Sequence, residues 1–203
     1  MTIQFAKGNG IQRRRQSAGF TLLELVVVLA ISVILAAIAV PEVLNTYHAS
    51  QTRNAANQLS ALVQQAVILA EQKNVTLPLY TGTVQNGAAG AFIACSSTSC
   101  PSGGNGTSYQ TGDTAIAYGG DITSGSSSSA PSGLNPGFTP ESSATTLYFN
   151  PRGVAVKSTG GTSYMLARGF VFYLTDSRND WAAVAVSSIG RSKVYVWNGS
   201  SWN

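Results

Sequence analysis

From Phe20 to Val40 the chain is apolar at every position except Thr21, Glu24 and Ser32. As an α-helix rising about 1.5 Å per residue, this run spans about 30 Å, the thickness of one hydrocarbon core. Pro41 closes it, and the missing amide hydrogen there predicts a kink or local melting. Beyond Pro41 the pattern changes to helical periodicity. In "RNAANQLSALVQQAVILAEQKN", Ala55, Leu59, Leu62, Ala66 and Leu69 recur at helical spacing, joined by Ala56, Val63, Val67 and Ala70. Polar residues fill the other side, which predicts an amphipathic helix with one apolar face, ending near Asn74. If continuous, the two segments form a helix of roughly 80 Å.

From residue 75 the pattern reads as β. "TLPLYTGTV", "GAFIAC", "TAIAYG", "TLYFN", "GVAVKS", "SYMLARGFVFYLT", "WAAVAVSS" and "SKVYVWN" are candidate strands, rich in Val, Tyr, Phe and Thr. "DSRND" and "SIGR" read as hairpin connections. Residues 96–145 are rich in Ser and Gly and read as long exposed loops with one strand inside. The fold class expected is α+β, with segments at 1–19, 20–41, 42–74 and 75–203.

Charge changes the picture by its location. The chain has 12 Lys and Arg against 8 Asp and Glu. Lys7, Arg13, Arg14 and Arg15 lie in residues 1–19, which contain no acid, so the remainder is formally neutral. Arginines on the N-terminal side of the apolar run predict a cytoplasmic N-terminus and an exported C-terminal domain. A secretory signal would place its small-residue cleavage site after the apolar run. Here "SAG" precedes it, so a cut there keeps the run in the mature chain.

Cys95 and Cys100, in "CSSTSC", have no histidine nearby and make a poor zinc site. A small disulfide-closed loop is the expectation if the domain lies outside the cytoplasm, with two free thiols as the alternative. The sole histidine, His48, lies just past the membrane run, so the β region lacks a Ser–His–Asp or Cys–His arrangement. The acids Asp113, Asp121, Glu141, Asp176 and Asp180 are scattered, with no loop spaced like an EF-hand. "GGNGTSYQTG" lacks the spacing of a phosphate loop. These absences predict a non-enzymatic protein with no metal or cofactor.

The stretch "AGFTLLELVVVLAISVILAAIAVP" closely resembles the class III signal of type IV pilins and type II secretion pseudopilins. Gly19 matches the residue before the cut, Phe20 the first mature residue, Glu24 the fifth, and Pro41 the helix kink. The resemblance implies cleavage after Gly19 by a prepilin peptidase, methylation of the Phe20 amine, residence in the inner membrane with a periplasmic domain, and entry into a filament. A carboxylate within a bilayer costs about 2.5–3.5 kcal/mol at the helix centre and less near an interface, so Glu24 is a functional candidate. Its expected partner is the Phe20 amine of a neighbouring subunit in a staggered filament. The later "FNPRG" and "WAAVAVSSIGRSKVYVW" resemble the GspH/FimT group of minor pilins and pseudopilins. That resemblance implies a helix packed on an antiparallel β-sandwich, and a low-abundance subunit that primes or caps a type IV pilus or type II secretion pseudopilus.

Some members of that group are implicated in DNA uptake through a Gly-Arg-x-Arg motif, which this chain approaches with Gly190, Arg191, Ser192 and Lys193. Lysine keeps the charge of the second arginine but lacks its planar fork. From Asn150 onward six basic residues, including Arg168 and Arg178, face two acids, whereas residues 74–149 hold three acids and no base. Tyr195, Trp197 and Trp202 are aromatic neighbours that could stack on bases. DNA is thus the alternative partner.

Overall fold

The computed structural model describes residues 20–94, 114–140, 146–159 and 163–203. Residues 1–19 with Gly19, expected as a leader, Cys95 and Cys100, and the remainder of the Ser/Gly-rich region lie outside them. The chain divides into two compact units, one ending at Val43 and one spanning Leu44–Asn203.

Helix α1 runs Leu22–Lys73 and continues through Pro41, so the expected local melting does not occur. Up to Tyr47 every described residue of the chain is exposed. From Thr52 the amphipathic stripe turns inward: Ala55, Ala56, Leu59, Leu62, Val63, Ala66 and Ala70 are all buried. Each fully buried Leu or Val contributes about 1.5–3 kcal/mol relative to exposure. The helix stops where the sequence predicts. Asn74 takes a left-handed conformation (φ 54°), the Asn74 N–H donates to Glu71 O and the Val75 N–H to Ala70 O. This is a Schellman cap, which satisfies carbonyls that the last turn leaves open.

Ten antiparallel strands follow among the described residues. β1 (Leu77–Thr83), β2 (Ala89–Ile93), β3 (Thr114–Ala117), β5 (Thr146–Phe149), β6 (Ala155–Thr159) and β7 (Ser163–Leu166) form one sheet in the order β3-β2-β1-β5-β6-β7. β4 (Thr123–Gly125), β8 (Gly169–Thr175), β9 (Trp181–Ser187) and β10 (Ser192–Val196) form the second, ordered β10-β9-β8-β4. Leu79, Ile93, Leu147 and Phe149 of the first sheet join Phe172, Leu174, Val184 and Val186 of the second in one core with the α1 stripe. The molecule is therefore α+β, with its N-terminal helix packed on antiparallel sheets.

Two expectations are corrected. "SYMLARGFVFYLT" is two strands in two sheets, separated at Ala167–Arg168. Gly169 permits the change of sheet: its φ is +141°, and a Cβ there would lie 2.4 Å from the Phe138 ring. The described part of the Ser/Gly-rich region is also more than exposed loop with one strand, since it supplies both β3 and β4. Leu134 and Phe138 pack on the outer face of the second sheet against Val171, Ala183, Ala185 and Tyr195.

The two resembling motifs meet on the helix. In "FNPRG", Asn150 Oδ1 accepts from the N–H groups of Arg152 and Val154, closing the β5–β6 turn. In "SIGR", the Ser187 N–H donates to Arg191 O, and the Ala155 N–H donates to Ser188 O, joining the two turns. Gly153 (φ +71°) and Gly190 (φ +74°) leave no room for a side chain: a Cβ on Gly190 would lie 2.4 Å from Gly153 O and 3.0 Å from Val67 Cγ2. Gly199 shares a positive φ (+93°) but has open space around it. Gly190→Ala is expected to cost about 2–4 kcal/mol, strain plus overpacking, against about 1 kcal/mol for Gly199→Ala. Denaturant unfolding of the two variants measures the difference.

Candidate functional sites: the N-terminal segment and the basic end of the second sheet

At the start of α1, Thr21 is the N-cap. Its Oγ1 accepts the Glu24 N–H at 3.2 Å, and its carbonyl accepts the Leu25 N–H at 3.2 Å. Thr21-Leu22-Leu23-Glu24 has capping-box spacing, with Glu24 at the third helical position. A carboxylate in the first turn also faces the positive end of the helix dipole. These interactions hold Glu24 one turn from the Phe20 backbone and preorganise the first turn. Further along, Ser32 Oγ donates to Val28 O at 2.8 Å, so its hydroxyl is satisfied within the helix.

Among the described residues, every one in this segment is exposed. Phe20 is 82% exposed, and Leu22, Leu23, Val33 and Ile38 are exposed as well. By length and composition the helix can cross a membrane. A helix apolar on all sides must be buried by lipid or by other protein, because water leaves its whole surface unpaired with any apolar neighbour.

The basic residues fall into two places. Arg191 and Lys193 flank the start of β10, and Arg168 immediately precedes β8, whose first residue Gly169 pairs with Ser187. These three share one end of the second sheet. Arg178 lies in the β8–β9 turn at the opposite end, where its Nη1 donates to Asn45 Oδ1 at 2.8 Å. The structure therefore separates Arg178 from the other three. Lys193 Nζ sits 4.5 Å from the centroid of the Tyr195 ring, a cation–π contact. Tyr195 is buried, Trp197 packs on Trp202 at 5.6 Å, and Trp202 Nε1 donates to Pro131 O at 3.2 Å. All three aromatics proposed as stacking platforms are engaged in intramolecular packing.

Around Arg178 three of the acids scattered in sequence, Asp121, Asp176 and Asp180, come together. Asp176 Oδ1 accepts from the Arg178 and Asp180 N–H groups at 3.0 and 2.8 Å, fixing the β8–β9 turn. The Ser177 hydroxyl and N–H both donate to Asp121 Oδ2, and these bonds hold the Asp121 carboxyl below its ordinary pKa. Burial, and then the neighbouring Asp176 charge, push the Asp180 carboxyl up. His48, one turn before Thr52 on α1, belongs to the same group. Sequence reading misses this grouping because its members come from a helix, a loop and a hairpin with no shared local spacing.

Residues 14–40 match the prokaryotic N-terminal methylation motif. No curated protein and no solved structure matches the chain. The matched segment contains Gly19, Phe20 and Glu24 and ends one residue before Pro41. It supports a type IV pilin-like class III signal, and with it prepilin-peptidase processing, membrane anchoring and pilin assembly. Over these residues the chain carries an N-terminal signal like that of type IV pilins.

Proposed function

We propose that the chain is a minor pilin or pseudopilin of the GspH/FimT kind, a low-abundance structural subunit that primes or caps a type IV pilus or type II secretion pseudopilus. The observation that carries this reading is the N-terminal segment itself. It combines a methylation-motif match with an apolar helix whose whole circumference is left for lipid or neighbouring subunits. The meeting of the "FNPRG" and "SIGR" turns on α1 supports the finer assignment, since both resembling motifs serve one packing site. The subunit has a structural role rather than an enzymatic one.

In this reading Glu24 pairs with the methylated Phe20 amine of an adjacent subunit, within a low-dielectric filament core where both charges need a partner. The capping geometry at Thr21 offers a competing role for Glu24, and glutamine separates the two. Glu24→Gln retains a capping-box side chain but not the charge; Glu24→Val retains neither. Both variants are expected to be inserted and processed, and both to fall at least about tenfold in filaments sheared from cells, because breaking a buried pair is costly. Normal incorporation of Glu24→Gln would contradict the charge pair and leave capping as the role of Glu24.

A second reading, a DNA-binding minor pilin acting in natural transformation, is favoured by the grouping of Arg168, Arg191 and Lys193 at one sheet end. If about three phosphates are contacted, affinity falls with salt with a log–log slope near −2 for single strands and near −2.7 for duplex. With the full chain in nonionic detergent, Arg191→Ala combined with Lys193→Ala is expected to abolish most of that binding. Absence of binding at low salt would reject this role.

A further inference from the structure

His48, Asp121 and Asp176 each bring one potential ligand atom into a group whose members lie within 4.8 Å of one another. Their positions are set by three different parts of the Leu44–Asn203 unit: α1, the β3–β4 connection and the β8–β9 turn. Two unsatisfied atoms mark the group. His48 Nδ1 and Asp176 Oδ2 are buried without a hydrogen-bond partner. Asp176 is only 6% exposed, and its Oδ1 is already committed to the Arg178 and Asp180 N–H groups. A buried carboxylate oxygen without a donor is costly, and so is a buried imidazole nitrogen. Asp121 is held in place by Ser177 on the turn that carries Asp176.

We propose that His48, Asp121 and Asp176 form a structural binding site for a divalent transition-metal cation of the zinc type. The donor set decides the class of ion. One imidazole nitrogen with two carboxylates suits zinc and its first-row neighbours, whereas calcium and magnesium prefer oxygen donors throughout. Zinc–nitrogen and zinc–oxygen bonds of about 2.0–2.2 Å require the ligand atoms to draw closer together than 4.8 Å. Half-buried His48 would move to close that distance, while Asp121 is held by Ser177 and Asp176 is anchored by its turn. The cation would satisfy both orphaned atoms at once. It would also clip the start of the folded part of α1 to two loops that no strand pairing joins to it. Ser177, which bonds Asp121, and the Arg178–Asn45 bond orient the surroundings of the site, as outer partners of metal ligands commonly do.

The test is equilibrium dialysis of the detergent-solubilised full chain against Zn²⁺, Co²⁺ or Ca²⁺, with metal content and thermal unfolding measured together. The same measurements on a Cys95→Ser/Cys100→Ser background keep the thiols from contributing. One Zn²⁺ or Co²⁺ per chain is expected, with Ca²⁺ failing to displace it at equal concentration. At a hundredfold excess of free Zn²⁺ over its Kd, the unfolding temperature should rise by about 5–10 °C. His48→Gln and Asp176→Asn should each weaken binding at least about tenfold. The Asn variant keeps an Oδ1 acceptor for the turn, so metal-free unfolding temperatures near that of the parent show that the variants fold. No stoichiometric binding, binding that survives His48→Gln, or a preference for Ca²⁺ would each overturn the proposal.

Discussion

The apolar stripe from Ala55 to Ala70 on α1 is the surface on which both sheets close. Its residues are small or aliphatic, and all its innermost members are buried. Ala55, Ala56, Ala66 and Ala70 join Leu59, Leu62 and Val63 in one buried cluster with residues of both sheets. The hairpin turns depend on this contact too. Gly153 and Gly190 fit only because nothing larger than hydrogen projects toward Glu71 and Val67. If the stripe were disrupted, the core of both sheets and the seating of two turns would be lost together.

The same helix carries a second, unrelated demand in its first half. There the described residues are apolar on nearly every side and exposed. An apolar segment so exposed needs cover from lipid or from other protein. Thr21 and Glu24 begin the helix with a cap, which matters most where water is scarce to satisfy the open N–H groups. Such division of labour along one helix suits the proposed filament subunit: a folded body, and an apolar handle that exchanges one set of apolar neighbours for another.

Much of this was legible in the chain. A period of 3.6 residues fixed the buried face of α1, and Asn74 marked its end because asparagine tolerates the left-handed conformation of a C-terminal cap. Strands with alternating residues were found nearly at their observed limits. The failures have physical causes. "SYMLARGFVFYLT" keeps one apolar rhythm across a change of sheet, so alternation alone cannot show the break at Arg168. Leu134 and Phe138 are isolated apolar residues in a Ser-rich stretch and produce no period, yet they cover the outer face of the second sheet. Basic residues near the C-terminus were visible as charge, but only strand order shows that Arg178 stands apart from Arg168, Arg191 and Lys193. The convergence of His48, Asp121 and Asp176 is wholly tertiary and left no mark on local sequence.

On the proposed reading the apolar helix is a processed assembly segment rather than a permanent anchor. Mass spectrometry of the N-terminal peptide of the chain, purified from cells with the membrane fraction, tests it most directly. The account predicts a mature chain that begins at Phe20 and carries a methyl group on its α-amine. A mature chain that retains Arg13–Gly19, or one cut on the C-terminal side of the apolar run, would contradict it.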